Sequence, residues 1–437
     1  MSLPDSRRPK LLFLAWAFPP TASIASVRTW NLAKNLARLG WEVTVVTPHP
    51  DLIRHNENPE RARANLAAEG IHQILTGHKL RFLDPDFLAC RNRGFGWLIG
   101  GICRKLARRL GISRGIGWIK AAERACLPLR PQDVDVILAS APAFSSFVLA
   151  ERLSRRLGRP YILDYRDPWW TEVMGMFRGM QGLIDKLEAR LVGGANAVTV
   201  VSPSWATDLN RRFTIGSKLH VITNGYDPED LAGVKPHDFG HFAMVYTGLF
   251  YPPIRVVTPV LEALKRVMTR NKASGEWYFH YYGMDERHVR DEVDRIGVSD
   301  HVKVHGNVSR DEALSAARGA NLAVVISSVH DTATSEINGW IPAKLYEAIG
   351  LSTPVLLIGP PECDAERIAE PTGLVRRIAG NDIDGIAAFI EDSMSGAGFT
   401  TRDVDSITWK CLAAQFDRVL RQELVQFQPM PSASKSA

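Results

Sequence analysis

Short apolar runs of strand length alternate along this chain with stretches whose apolar positions recur every three or four residues. That is the pattern of buried parallel strands covered by helices. The first elements read as a strand at 11–17, a turn at Pro19-Pro20, a helix at 25–39 and a strand at 42–47, a βαβ unit. Further buried strands read at Val134–Ala139, Tyr161–Asp164, Ala197–Val201 and Lys218–Thr223, the last ending in the turn signal Asn224-Gly225-Tyr226-Asp227. The polar stretch Pro228–Gly240 reads as a linker. Alternation restarts at Phe242–Thr247 and continues through Tyr278–Tyr282, His301–His305, Leu322–Ile326, Pro354–Ile358 and Gly373–Val375, and helical spacing covers Thr408–Val425.

These elements predict an α/β protein with two Rossmann-like parallel-sheet domains. Residues 1–232 would form the first and 233–405 the second; 406–427 would be a helix crossing back toward the first, and 428–437 a disordered tail. A chain of 437 residues is too long for one ordinary core and suits two. Its 45% hydrophobic and 23% charged residues speak against wholesale disorder and against a multi-span membrane protein. The five cysteines are odd in number and lack a C-x-x-C pair, so they read as reduced packing residues. The apolar run Leu11–Phe18 ends at two prolines and leads into an amphipathic helix, which favours a buried strand over a signal peptide and a cytoplasmic location.

The net charge of +6 is concentrated in one place: between Arg91 and Arg130 lie ten Lys or Arg and a single acid, Glu123. Phe95, Trp97, Ile102, Trp118 and Ile119 interleave with these cations. The uninterrupted apolar run is far short of the ~20 residues a membrane span needs. Segment 91–130 therefore reads either as helices with a solvated basic face or as a surface lying on an anionic membrane. No recognition motif accompanies the charge, so no nucleic-acid partner is expected.

Open parallel sheets gather ligands at the carboxyl ends of their strands, and three stretches there carry candidate chemistry. In Pro342-Ala343-Lys344-Leu345-Tyr346-Glu347, Pro342 suits the first helical position and leaves the opening amides free for an anion. Lys344 can reach a phosphate and Glu347 can accept from hydroxyls; the same spacing also suits an exposed ion pair. Tyr246-Thr247-Gly248 runs a strand into a turn where Gly248 admits close backbone approach, with Arg255 nearby to neutralise a diphosphate; taken by itself the stretch reads more readily as a plain structural turn. Asp164-Tyr165-Arg166-Asp167-Pro168-Trp169 leaves a buried strand with three charges, as does an active-site loop or a structural Arg–Asp pair. Pro20 and Arg28 belong to the first βα loop, which lacks the G-x-G-x-x-G spacing of a dinucleotide site. The Asp-x-Asp pairs follow no clear strand end, so neither a metal nor another cofactor is expected.

Several of these stretches stand in a characteristic order: Phe18-Pro19-Pro20 with Arg28, Ser140-Ala141-Pro142, Asp164 to Trp169, Val200-Val201-Ser202, Asn224 to Asp227 and Pro342 to Glu347. Together they resemble the family 4 glycosyltransferases of the GT-B fold, in particular the branch from bacterial polysaccharide and lipid-linked glycan pathways, over residues 10–425. The resemblance implies two Rossmann-like domains facing across a cleft, and retaining transfer from a nucleotide-sugar donor to a saccharide or polyprenyl-linked acceptor without a bound metal. It implies Glu347 on the donor ribose, with Arg255 and Lys344 neutralising the diphosphate beside Gly248 and Pro342. Arg166 and Asp167 would face the sugar or acceptor, and Pro20, Arg28, Ser140 and Trp169 would line the acceptor loop. The chain departs from the family pattern at Ser23-Ile24, where two glycines are common, and at Gly339, where many members carry Glu; the transferred sugar stays open. A sugar-nucleotide epimerase on a similar fold and a non-catalytic nucleotide-binding partner of glycan enzymes are the alternative readings.

Overall fold

The computed structural model describes residues 7–21, 24–49, 59–77, 115, 117–170, 178–270, 275–331, 334–396 and 398–427. Among them, two all-parallel sheets form. The first contains β1 (Lys10–Ala15), β2 (Glu42–Pro48), β3 (His72–Thr76), β4 (Val136–Ser140), β5 (Tyr161–Tyr165), β6 (Ala197–Val200) and β7 (Leu219–Val221), in the order β3-β2-β1-β4-β5-β6-β7. The second contains β8 (Phe242–Thr247), β9 (Trp277–Tyr282), β10 (Val302–Gly306), β11 (Leu322–Ile326), β12 (Val355–Ile358) and β13 (Val375–Ile378), in the order β10-β9-β8-β11-β12-β13. Both are doubly wound. Strand order reverses between β1 and β4 in one sheet and between β8 and β11 in the other, the positions where such folds bind ligands.

The chain divides into two compact units, one of Met1–Val201, Trp205–Thr223 and Leu412–Ala437, the other of Ser202–Ser204 and Asn224–Cys411. In the first unit β1 is buried from Leu11 onward because it lies between β2 and β4 and is covered on both faces. The later turns of the helix Trp409–Gln426 join this unit through side chains. Trp41 Nε1 donates to Asp417 Oδ1 at 2.7 Å, Arg421 Nε donates to the same oxygen at 2.7 Å, and Phe416 is fully buried.

In the second unit strand alternation sorts side chains into two layers. Met244, Tyr246, Phe279, Tyr281, Val324 and Leu356 pack with Leu261 and Leu264 of the helix Thr258–Arg270 and with Ile386 and Ile390 of Ile383–Met394. On the opposite face Ala323, Val325, Val355 and Leu357 meet Leu314 of Arg310–Gly319 and Leu345 and Ile349 of Ala343–Gly350.

The structure departs from the expected elements in several places, among them a shorter β7 that spans Leu219–Val221 rather than Lys218–Thr223. The stretch expected as a linker holds a short helix, Pro228–Ala232, because Asp227 accepts from the Glu229 amide at 3.0 Å, Pro228 opens the turn and Leu231 is buried. The last strand begins at Val375 rather than Gly373, whose φ of +69° places it in the turn before the strand. Strand β3 was not anticipated, since its His72 and Gln73 interrupt the apolar signal of an edge strand. Of the basic segment 91–130, the described part is 115 and 117–130, where Trp118 is buried against Trp16 at 5.7 Å between centroids and Ile119–Ala125 is helical. The expected tail, 428–437, lies outside the described residues. No described helix is long and apolar enough to cross a membrane.

Candidate active site

At the strand-order reversal of the second sheet β8, and β9 and β10 on one side of it, each end at or run into glycine. Gly248 follows β8 with φ +102° and donates its amide to Tyr282 O at 2.7 Å, and Gly283 after β9 donates to Gly306 O at 2.8 Å. A Cβ on Gly283 would stand 2.2 Å from Gly248 O, so the close approach of these two backbones requires glycine there. Asp285 Oδ2 fixes the following turn by accepting the Phe250 amide at 2.7 Å.

Arg255 spans the reversal. Its Nε donates to Ser327 O, just past β11, at 3.1 Å, and its guanidinium lies 5.5 Å from the Tyr251 ring centroid and 5.7 Å from that of Trp340. Burial lowers its pKa. Lys344 comes from the helix Ala343–Gly350; its Nζ sits 3.6 Å from the Tyr246 ring centroid and 3.3 Å from where a Cβ on Gly248 would be. Burial, and after it the charge of Arg255, pushes Lys344 well below the usual lysine range. Among the described residues neither cation is within salt-bridge distance of a carboxylate. Two basic groups desolvated in this way are an arrangement that an anion could complete electrostatically.

One turn further along the same helix stands Glu347, whose carboxyl burial raises above the usual range, against the pull of Arg310 and Lys344. Its ion-pair partner is Arg310, Nη2 to Oε1 at 3.2 Å, and not Lys344 three residues away. Thr247, Arg310, Lys344 and Glu347 line a small cavity of about 50 Å³ with Val245 and Val325 among its apolar walls. Pro342 is the N-cap of the helix, one position outside the first helical residue where it was expected, with ψ 133°. The second unit thus brings Gly248, Arg255, Lys344 and Glu347 together. It adds Arg310, Gly283 and Gly306, which sequence reasoning passed over although each lies at or just past the end of a strand.

The first unit treats its candidates differently. Ser140, Asp164 and Thr199 are register partners across β4, β5 and β6, and all three side chains meet: Ser140 Oγ and Thr199 Oγ1 each donate to Asp164 at 2.7 Å. Arg28 closes the cluster with Nη2 and Nε at 2.7 and 3.0 Å from the two carboxylate oxygens, and donates onward to Ile222 O and Thr223 O. Arg28 and Ser140 were expected to line the acceptor loop; the structure buries both, because the buried Asp164 carboxylate needs a counter-charge and hydrogen-bond donors beside it. Trp169 is also buried, stacked on Phe144 at 4.5 Å with an interplanar angle of 6°, and Pro20 is buried in the turn after β1. Arg166 and Asp167 pair with each other at 3.2 Å and keep 17% and 35% of their side-chain surface exposed, so of this unit's candidates these two remain accessible. No group of His, Cys, Asp and Glu among the described residues is arranged to hold a metal ion.

Residues 25–225 match the glycosyl transferase 4-like domain family. The chain is an enzyme of the glycosyltransferase type. The glycosyltransferase is similar over most of its length to solved structures of the GT-B fold. A glycosyltransferase from Rickettsia africae shares 13% identity with a TM-score of 0.60, covering 96% of this chain and 99% of that one. Sucrose-phosphate synthase from Thermosynechococcus elongatus shares 15% with a TM-score of 0.61, covering 96% and 100%. Anabaena HepE in complex with UDP shares 15% with a TM-score of 0.59, covering 94% and 100%. At such identities the likeness speaks for the fold. A comparison with curated proteins found no match.

Proposed function

We propose that this glycosyltransferase takes its sugar from a nucleotide-sugar donor held in the second unit, with the diphosphate beside Gly248, Arg255 and Lys344 and the ribose hydroxyls on Glu347. The observation that carries this reading is the desolvated pair Arg255 and Lys344 at the strand-order reversal, each with a depressed pKa. Transfer breaks the bond from the anomeric carbon to the diphosphate oxygen, and the electron pair leaves with the diphosphate while the acceptor hydroxyl oxygen bonds to the sugar and its proton passes to the departing diphosphate. Negative charge grows on the leaving group, and preorganised cations in a low-dielectric site stabilise it most strongly there. The UDP and UDP-glucose complexes of the fold neighbour HepE support a donor of this class.

The acceptor in this reading is a saccharide or a polyprenyl-linked saccharide, met by Arg166 and Asp167, and transfer proceeds with retention and without a metal. The pathway is cell-surface polysaccharide or glycan synthesis, with segment 91–130 resting on the inner face of an anionic membrane. The fold neighbour that is a lipopolysaccharide outer core galactosyltransferase supports this choice.

Thermal unfolding in the presence of UDP, GDP and ADP, with Glu347→Ala in parallel, tests the donor site. A ligand at about 100 times its Kd stabilises the folded state by about 2.7 kcal/mol. A shift selective for one nucleotide and lost in Glu347→Ala supports the reading; the absence of a shift with all three overturns it.

A further inference from the structure

We infer that Arg310 is a positioning residue for the donor: it holds the Glu347 carboxylate charged and oriented, so that the carboxylate's second oxygen is left to accept a ribose hydroxyl. The inference rests on the donor site proposed above. Arg310 opens the helix Arg310–Gly319, whose N-terminus is fixed by Ser309 accepting the Glu312 amide at 3.2 Å, and whose Leu314 and Ala317 line the same cavity as Glu347. Its contact with Glu347 is a single one, Nη2 to Oε1 at 3.2 Å, and among the described residues no hydrogen bond reaches Oε2. The pair is not a device for holding the fold. Side-chain exposures are 54% for Arg310 and 36% for Glu347, and ion pairs so exposed contribute little to stability.

A ribose hydroxyl donates, and a protonated carboxyl has lost acceptor capacity. Burial pushes Glu347 toward its neutral form, as does Asp230 from the helix Pro228–Ala232, while Arg310 from the facing helix and Lys344 from its own helix oppose them. Arg310 is the one of these groups that touches the carboxylate, so it both opposes the effect of burial and orients the carboxylate oxygens.

Calorimetric titration of the full chain with UDP, GDP and ADP, each beside its 2′-deoxy counterpart, over pH 5–8 tests this in wild type, Arg310→Gln, Arg310→Lys and Glu347→Gln. Arg310→Gln is expected to weaken binding of the preferred ribonucleotide about tenfold, as for loss of a hydrogen bond to a charged group. It should also move the acid limb of binding to higher pH and reduce the preference for the 2′-hydroxyl. Arg310→Lys restores the charge and with it the acid limb, which a merely structural role would not predict. If Glu347→Gln loses the nucleotide while Arg310→Gln keeps wild-type affinity and acid limb, the inference falls and the donor site stands. If wild type binds no nucleoside diphosphate, the donor site falls and the inference with it.

Discussion

Arg28 and Asp164 form a closed, bidentate pair in the interior of the first unit, their side chains 1% and 0% exposed and their closest atoms 2.7 Å apart. Removing one partner from such a pair leaves an uncompensated buried charge, at a cost of roughly 3–5 kcal/mol. Asp164→Ala is therefore expected to lower the unfolding free energy measured by denaturant titration by that amount, while Arg166→Ala, part-exposed on the adjoining loop, changes it by less than about 1 kcal/mol. Equal effects of the two substitutions would contradict the assignment of Arg28 and Asp164 to the core.

The same pair fixes a pH dependence. Burial alone would raise the Asp164 pKa, but the Arg28 charge and the hydrogen bonds from Arg28, Ser140 and Thr199 outweigh it and hold the carboxyl below its ordinary value. A depressed folded pKa means the unfolded chain binds the proton more readily. The stabilisation is complete above about pH 4, the unfolded value, and is lost as pH falls through the lower folded value. Acid titration of wild type against Asp164→Asn should show this loss in the former only.

Lys344 separates function from stability. Replacing it by Met removes a desolvated cation, so thermal stability should hold or rise. The turnover rate should fall by on the order of 10²–10³, the usual effect of deleting one group that stabilises developing negative charge. Steady-state kinetics together with melting curves decide it: a variant that loses stability and keeps its rate would remove Lys344 from the donor site.

The sequence pattern made the strands legible because parallel strands buried on both faces are short apolar runs, and β8 and β11 match their expected limits residue for residue. It did not show what lies beside what. Ser140, Asp164 and Thr199 become one row only once β4, β5 and β6 are neighbours in register, and it is that row which draws Arg28 inward. Arg310 is 37 residues from Glu347, and the two meet because their helices cover the same sheet face. Strand β3 escaped notice for the opposite reason, since an edge strand with His72 and Gln73 has little apolar signal to offer. The motif Pro342 to Glu347 was visible because both its charges belong to one helix.

Gly283 predicts an effect on the donor site from a single methyl group. Its Cβ would lie 2.2 Å from Gly248 O, a backbone atom with no rotamer by which to move aside. Gly283→Ala should displace the Gly248 turn, cost about 1–3 kcal/mol by overpacking, and weaken nucleotide binding. Gly182→Ala is the control: nothing lies within 4 Å of its Cβ position in the helix Arg178–Gly194, so alanine should be neutral or stabilising.

Three histidines in the second unit carry the last prediction. His280, 2% exposed on β9, contacts His241 Nε2 through its own Nε2 at 3.0 Å and His305 Nε2 through its Nδ1 at 2.9 Å. Each contact holds one shared proton, so a charged His280, with protons on both nitrogens, would need both neighbours as acceptors in a place where burial already disfavours charge. Burial, and then the charges of His305, His241 and Lys303, depress His280 to about 3. Between that value and its unfolded pKa of about 6.5 the unfolded chain binds a proton that the folded chain does not. Stability must therefore fall as pH drops below about 6.5, by up to ~1.4 kcal/mol per pH unit for this one group. His280→Leu removes the titrating group and should flatten the decline. Urea midpoints at pH 7, 6 and 5 for both proteins isolate the histidine from the carboxylates, which titrate in each alike; parallel curves would mean that His280 takes up its proton without opposing the fold.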